Sequence, residues 1–289
     1  MKRRQILSII GLILVFLLAL GLMLYPIISS WINAIYASEI QTTYEAVIED
    51  TDNSELIAVK EAAIRYNESI TPGATNTDSY SQEAILAASQ NYDKLLDITG
   101  DGIMAYVQIP KIGVQLPVYH GTNNDSLDRG IGHLLGSSLP VGGESTHTIL
   151  TAHSGMASQK MFSDLPQLEI GDIFYLKVLD ETLAYQVDQI NTVLPHDTTY
   201  LGIEQDRDLC TLVTCTPFGV NTHRLLVRGE RIPYEEAEVI EETTQEVIVE
   251  STWEQHYLKG IAIGFGVVII LAIAGCVVWL IRRRCFEKQ

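Results

Sequence analysis

The groups in this chain able to do covalent chemistry are thiols, and their spacing narrows the choice to two. Of four cysteines, Cys276 lies inside an uncharged apolar run and Cys285 in a basic tail, leaving Cys210 and Cys215 in the polar body of the chain. They stand five residues apart in a stretch that reads as a strand. An odd separation puts them on opposite faces, with Cα atoms ~16 Å apart, beyond the ~7 Å that a disulfide can span. At least one is therefore an unpaired thiol. A thiol becomes a nucleophile where a cation or a base favours its ionised form. Cys210, in mid-strand, fits an inert core residue. Cys215, just ahead of Thr216 and Pro217, is the candidate for chemistry.

Seven histidines could supply the base: His120, His133, His147, His153, His196, His223 and His256. His153 has a local argument, since it follows the apolar run 148–152 and precedes Ser154 and Gly155, where a buried strand emerges. A hydrogen-bonded histidine at a strand end is the plainer reading of the same pattern. For the cation, residues 216–221, with Pro217 and Gly219, turn the chain back on itself. Arg224 then lies roughly diagonal to Cys215 across an antiparallel pair, within reach of a long side chain. Arg228 lies ~13 Å further along. Pairing with a carboxylate is the competing role for Arg224.

These groups must be held by strands. From residue 103 the hydrophobic period is close to two, and short strands are expected at 105–109, 114–119, 146–151, 173–178, 183–187, 208–215 and 223–227. Seven or so strands in ~130 residues, separated by Gly, Pro, Asn and Asp, indicate a mainly β fold, a closed or nearly closed barrel. Short helices are expected over 125–135 and 158–165. Residues 29–102 read as a helical stalk or cap, with helices over 31–48, 54–66 and 81–96 and a loop at 69–79. Eight glutamates between 235 and 254 mark an acidic stalk over 233–259.

Two apolar runs, 6–28 and 260–281, each reach ~33 Å at ~1.5 Å per residue, about one hydrocarbon core. Both read as transmembrane helices. A cleaved signal peptide is the alternative for the first, but its run exceeds the usual apolar region and no Ala-x-Ala site follows. Lys2, Arg3 and Arg4 in the tail 1–5, and Arg282, Arg283 and Arg284 in the tail 282–289, place both termini in the cytoplasm and the body of the chain outside. Residues 29–259 hold 35 of the 36 acidic and 12 of the 19 basic residues, a net charge of 12 − 35 = −23. Nucleic-acid binding does not suit that balance. No CxxC, HExxH or EF-hand loop is present, so no metal or cofactor is expected.

The same residues carry a family resemblance. Thr211-Leu212-Val213-Thr214-Cys215 resembles the T-L-x-T-C signature of sortases, and Thr151-Ala152-His153-Ser154-Gly155 their histidine motif. The run from Cys215 through Asn221, His223, Arg224 and Arg228 to Gly229 is similar to that of class C, or pilus-assembling, sortases. Ile109-Pro110-Lys111-Ile112 and Leu116 to Thr122 match that family's early strands. The resemblance covers about residues 103–232. It implies a sortase-type barrel and a membrane-bound, extracellular cysteine transpeptidase. Cys215 would form an acyl thioester with an L-P-x-T-G-like signal, cut between Thr and Gly. His153 would carry protons, and Arg224 would hold substrate and oppose oxyanion charge. The partners implied are pilin or surface-protein donors and a lysine amine on a second pilin, or else a cell-wall amine. The chain has no Asp-Pro, the mark of the lid many pilus sortases carry; the corresponding stretch, 91–104, is short, so an open thiol is expected. It also lacks Leu-Pro-x-Thr-Gly, as an enzyme rather than a substrate should. A serine hydrolase built on Ser154 is disfavoured because Met156 stands where a small residue is needed. A non-enzymatic receptor with two membrane helices, paired through Gly260 and Gly264, is the remaining alternative.

Overall fold

The computed structural model describes residues 2–70, 91–156, 158–243, 255, 257–264 and 266. Eight strands close into a barrel: β1 (Ile103–Ile109), β2 (Val114–His120), β3 (Ile131–His133), β4 (Thr146–Thr151), β5 (Ile173–Val178), β6 (Glu181–Val193), β7 (Asp208–Thr216) and β8 (His223–Ile232). The order around it is β1-β2-β3-β4-β7-β8-β6-β5, with β2–β3 and β4–β7 parallel and every other neighbouring pair antiparallel. Closure pairs every strand on both sides over at least part of its length, which limits the edge-pairing hazard of an open sheet.

The alternation read from the sequence is the alternation between barrel interior and exterior. Tyr106, Leu150, Phe174, Tyr185, Leu212 and Val227 fill the interior. Phe174 and Tyr185 stack at 5.5 Å between centroids. They leave no room on β8 for a side chain at Gly229, whose Cβ would come within 2.6 Å of the Phe174 ring. A second buried cluster joins Ile149, Val193, Val213 and Leu226, with Leu134 and Leu201 packed against it.

The strand expected at 183–187 runs from Glu181 to Val193. The pairing with β8 shifts between Val187 and Gln189, so Asp188 is the extra residue of a bulge that lets β6 continue. The expected helix over 125–135 is shorter, α3 (Asn124–Arg129), capped by the Asn123 side chain and ended at Gly130, after which β3 begins. β3 escapes a pattern search because three residues carry too little periodicity. The expected helix over 158–165 is absent; turns occupy this loop, with Phe162 N–H bonded to His153 O, and a 3-10 turn follows at Leu165–Gln167.

At the N-terminus, one helix, α1 (Lys2–Asp50), replaces the separate segments expected around residue 30, and Pro26 lies inside it. Within α1 is the one stretch among the described residues that is long and apolar enough to cross a membrane. The later turns of α1 are docked on the barrel. Tyr44 meets Tyr106 edge-on at 5.3 Å, and its hydroxyl accepts from Leu179 N. α2 (Asn53–Ser69) starts at the Asp52 cap, and Asn67 bonds both N–H and C=O of Leu139. The helix expected at 81–96 does not reach its end: Asn91 is left-handed and only a 3-10 turn, Tyr92–Lys94, follows. Residues 71–90, and so most of that helix and the 69–79 loop, lie outside the described residues. So does nearly all of the second apolar run, of which 260–264 and 266 are helical.

The acidic segment is not wholly a solvated stalk. α4 (Tyr234–Thr243) lies on β5 and β6 because Tyr234, Ala237 and Ile240 fall on one helical face. Ala237 is buried in a cluster with Tyr175, and Tyr175 donates to Glu241. Residues 244–254 lie outside the described residues.

Candidate active site

β4 and β7 run parallel with Thr151 opposite Val213, so their C-terminal ends lie side by side. β8 is antiparallel to β7 and brings its N-terminal end to the same place. The three sequence-derived residues sit on these three ends. Cys215 is the first β7 residue after the buried run 209–214, and it is half-buried. Arg224 is directly opposite it in the β7–β8 ladder, closer than the diagonal position expected. Directly paired residues share a face, with Cβ atoms ~4.5–5.5 Å apart.

His153 is placed by the end of β4. Ala152 N–H donates to Val213 O at 3.1 Å, and Thr214 Oγ1 donates to Ala152 O at 2.8 Å. The β4–β7 register is therefore kept up to the residue before His153, which lies alongside the end of β7. The loop after it is closed by Phe162 N to His153 O and by Gly155 N to Ser163 Oγ, both 3.0 Å. Gly155 has φ +79°, and a Cβ there would touch Gly219 N at 3.6 Å and the Phe218 ring at 3.7 Å. The loops following β4 and β7 thus abut, holding the imidazole and thiol segments together.

The two arginines differ in what they are committed to. Arg228 is clamped bidentately by Asp188, at 3.0 and 2.6 Å, and by Glu204 at 2.5 Å. Arg207 joins this network through Asp188, Glu204 and Glu230. These cations hold the Asp188 and Glu204 carboxyls below their ordinary range against the opposing effect of burial. Arg224 bonds only backbone carbonyls, His223 O at 3.1 Å and Asn221 O at 3.5 Å. No carboxylate pairs with it among the described residues, so its charge is available to an incoming group.

The cysteines separate in the same way. Neither is in a disulfide. Cys210 is fully buried, and burial together with the Asp208 carboxylate pushes its thiol far up, keeping it protonated and inert. Of the other histidines, His133 is buried and bonded to Tyr92 and Ser138 O. His147 is buried and bonded to Gly202 O and Thr211 Oγ1. Both rings are occupied far from any thiol role. His120 faces Gly102 O and Leu95 O. Sequence reasoning missed Asp128 on α3, whose Oδ1 lies 3.8 Å from His153 Nε2. No local signal marks it, because only the barrel brings α3 to the end of β4.

A description of the sortase domain matches residues 107–232. The chain is similar to solved structures of sortase C from Streptococcus pneumoniae (42% identity, TM-score 0.60, covering 68% of this chain and 97% of that one). It is likewise similar to sortase C1 of Streptococcus agalactiae (44%, TM-score 0.59, 66% and 97%). Sortase C-1 of Actinomyces oris is a third (44%, TM-score 0.56, 62% and 99%). Among sequence relatives, sortase D of Bacillus subtilis is 29% identical over 129 residues, 44% of this chain and 62% of that protein. Sortase A of Streptococcus agalactiae is 27% identical over 159 residues, 54% and 61%. The chain spans about three fifths of the length of these sequence relatives. It belongs to the sortase family, whose members are cysteine transpeptidases.

Proposed function

We propose that this chain is a membrane-anchored transpeptidase that joins an L-P-x-T-G-bearing protein to a lysine of a pilin. The observation that carries the reading is the direct pairing of Cys215 with an Arg224 free of carboxylates, beside the end of β4 that bears His153. The Cys215 sulfur adds to the Thr carbonyl carbon of the signal. Arg224 opposes the negative charge that develops on the carbonyl oxygen, a role in which one good donor is worth ~3–4 kcal/mol. The thiol proton passes to His153, the Thr–Gly C–N bond breaks, and the leaving glycine amine takes that proton from His153. The thioester retains the acyl energy, and an amine in place of water makes the outcome ligation.

The anchor is the apolar stretch of α1. A second span from residue 260, with both termini cytoplasmic, fits the uncharged run and its flanking arginines. The similarity to pilin sortases supports a pilin lysine as acceptor over a cell-wall amine.

The test incubates the full chain in detergent with an L-P-x-T-G peptide and looks for an acyl adduct by mass spectrometry. The adduct is expected on Cys215, without deletion of residues 29–99, and Cys210→Ala leaves it intact. An adduct lost with Cys210→Ala but not with Cys215→Ala overturns the assignment. A chain that acts only as a receptor forms none.

A further inference from the structure

A groove of about 500 Å³ runs between α1 and β2. Its α1 wall includes Asn33, Tyr36, Ala37 and Ile40, and its floor is the continuous stretch 113–117. This floor has an unusual edge. β3 pairs with β2 only from Val118 to His120, while β1 pairs with β2 from Val114 to Tyr119. Among the described residues, no strand covers residues 114–117 on the side away from β1. Pro117 ends this open edge, as proline does where no ladder bond is needed.

The groove also includes Asp128, Gln159 and Lys160, and so extends to the site. Asp128 is the carboxylate 3.8 Å from His153. Gln159 donates to Asp128 O, and Asn33 on α1 donates to Ser158 O in the loop that follows His153. The cations present are already compensated. Lys160 bonds Asp164 at 2.9 Å, and Arg129 pairs with Asp125 and covers the Tyr119 ring. Asp128 is left as an exposed negative charge beside the imidazole.

We propose that this groove docks the acceptor, as an extended segment of the second protein that adds to the open edge of β2 and delivers its lysine past Asp128 to His153. The inference rests on the transpeptidase reading above. Strand addition supplies main-chain hydrogen bonds without demanding one side-chain sequence, and apolar walls take alternate side chains. Asp128 attracts the lysine ammonium. After the ammonium loses one proton to solvent, the lysine Nζ bonds to the thioester carbonyl carbon. The acyl C–S bond breaks, the Cys215 thiolate leaves, and the second nitrogen proton passes through His153 to that thiolate. Cys215 and Arg224, which the donor must reach, do not line this groove, so an acceptor seated in it leaves them to the donor.

The full chain is charged with an L-P-x-T-G donor and given three nucleophiles. They are hydroxylamine, Nα-acetyl-lysine amide, and a capped heptapeptide of alternating valine and threonine with one central lysine. The heptapeptide is expected to half-saturate at least tenfold below acetyl-lysine amide. Ala37→Trp, which fills the groove from α1, is expected to abolish that advantage while release by hydroxylamine stays within about twofold. The same tryptophan at the exposed Glu39, outside the groove, should retain it. A heptapeptide with no advantage in the unaltered chain, or an advantage that survives Ala37→Trp, overturns the docking site while leaving the transpeptidase reading intact. Failure to form hydroxamate in the unaltered chain overturns both.

Discussion

Two arginines on one face of β8, four residues apart, have opposite fates. Arg228 is bound to Asp188 and Glu204, and Arg224 is opposite Cys215 with only carbonyls for company. A residue used for substrate should be expendable for stability, and one used for structure should not. Arg224→Ala is expected to lower kcat/KM for donor cleavage ~100–1000-fold with an unchanged melting temperature. Arg228→Ala leaves Asp188 and Glu204 with Arg207 alone and should lower the melting temperature, with a smaller kinetic effect. Equal kinetic losses would break the assignment. The choice between these arginines followed from strand spacing alone, because side chains alternate with a fixed rise. Whether Arg224 was free or paired with a carboxylate did not, since the partners of Arg228 come from β6 and the loop after it.

At the scale of elements, the barrel is built of strands whose interiors meet tightly. Gly229 is opposite Cys210 in the β7–β8 ladder and beneath the Phe174–Tyr185 stack, both rings fully buried. Gly229→Ala places a methyl within 2.6 Å of Phe174. It should cost about 1–3 kcal/mol, read as a fall in melting temperature without loss of Cys215 labelling in the folded protein. No change in melting temperature would mean the rings can move aside. Strands with five or more alternating residues were legible beforehand. β3 was not, being three residues long, and neither was the docking of α4, whose apolar positions are scattered among glutamates. The single helix α1 also overrode the expected break, since nothing after residue 28 interrupts helical propensity.

For the molecule as a whole, buried imidazoles set a pH limit. Burial pushes His133 and His147 down to about 4, against ~6.5 in an unfolded chain. Between those values the unfolded state binds protons that the native state refuses, so stability is full above ~6.5 and is lost as pH falls towards 4. Each histidine contributes on the order of 3 kcal/mol to that loss. Asp188 and Glu204, held below their usual range, act only at lower pH. Urea midpoints measured at pH 7.5 and 5 should therefore fall with acidity, and His147→Gln should flatten the slope. A midpoint constant across that window would show that the rings accept protons in the folded state.

What the chain alone determined was local. Most of the strands, the inert place of Cys210 and the choice of Arg224 over Arg228 follow from period and spacing, which need no knowledge of distant residues; Cys215, His153 and Arg224 as one set came from the motifs that resemble the sortase family. What only the tertiary structure decided was everything that depends on register and closure. It set Arg224 squarely opposite Cys215, committed Arg228 elsewhere, brought Asp128 to His153, and left one edge of β2 open beneath α1. Those meetings join residues far apart in sequence, and no short-range pattern encodes which of many possible pairings the packed barrel selects.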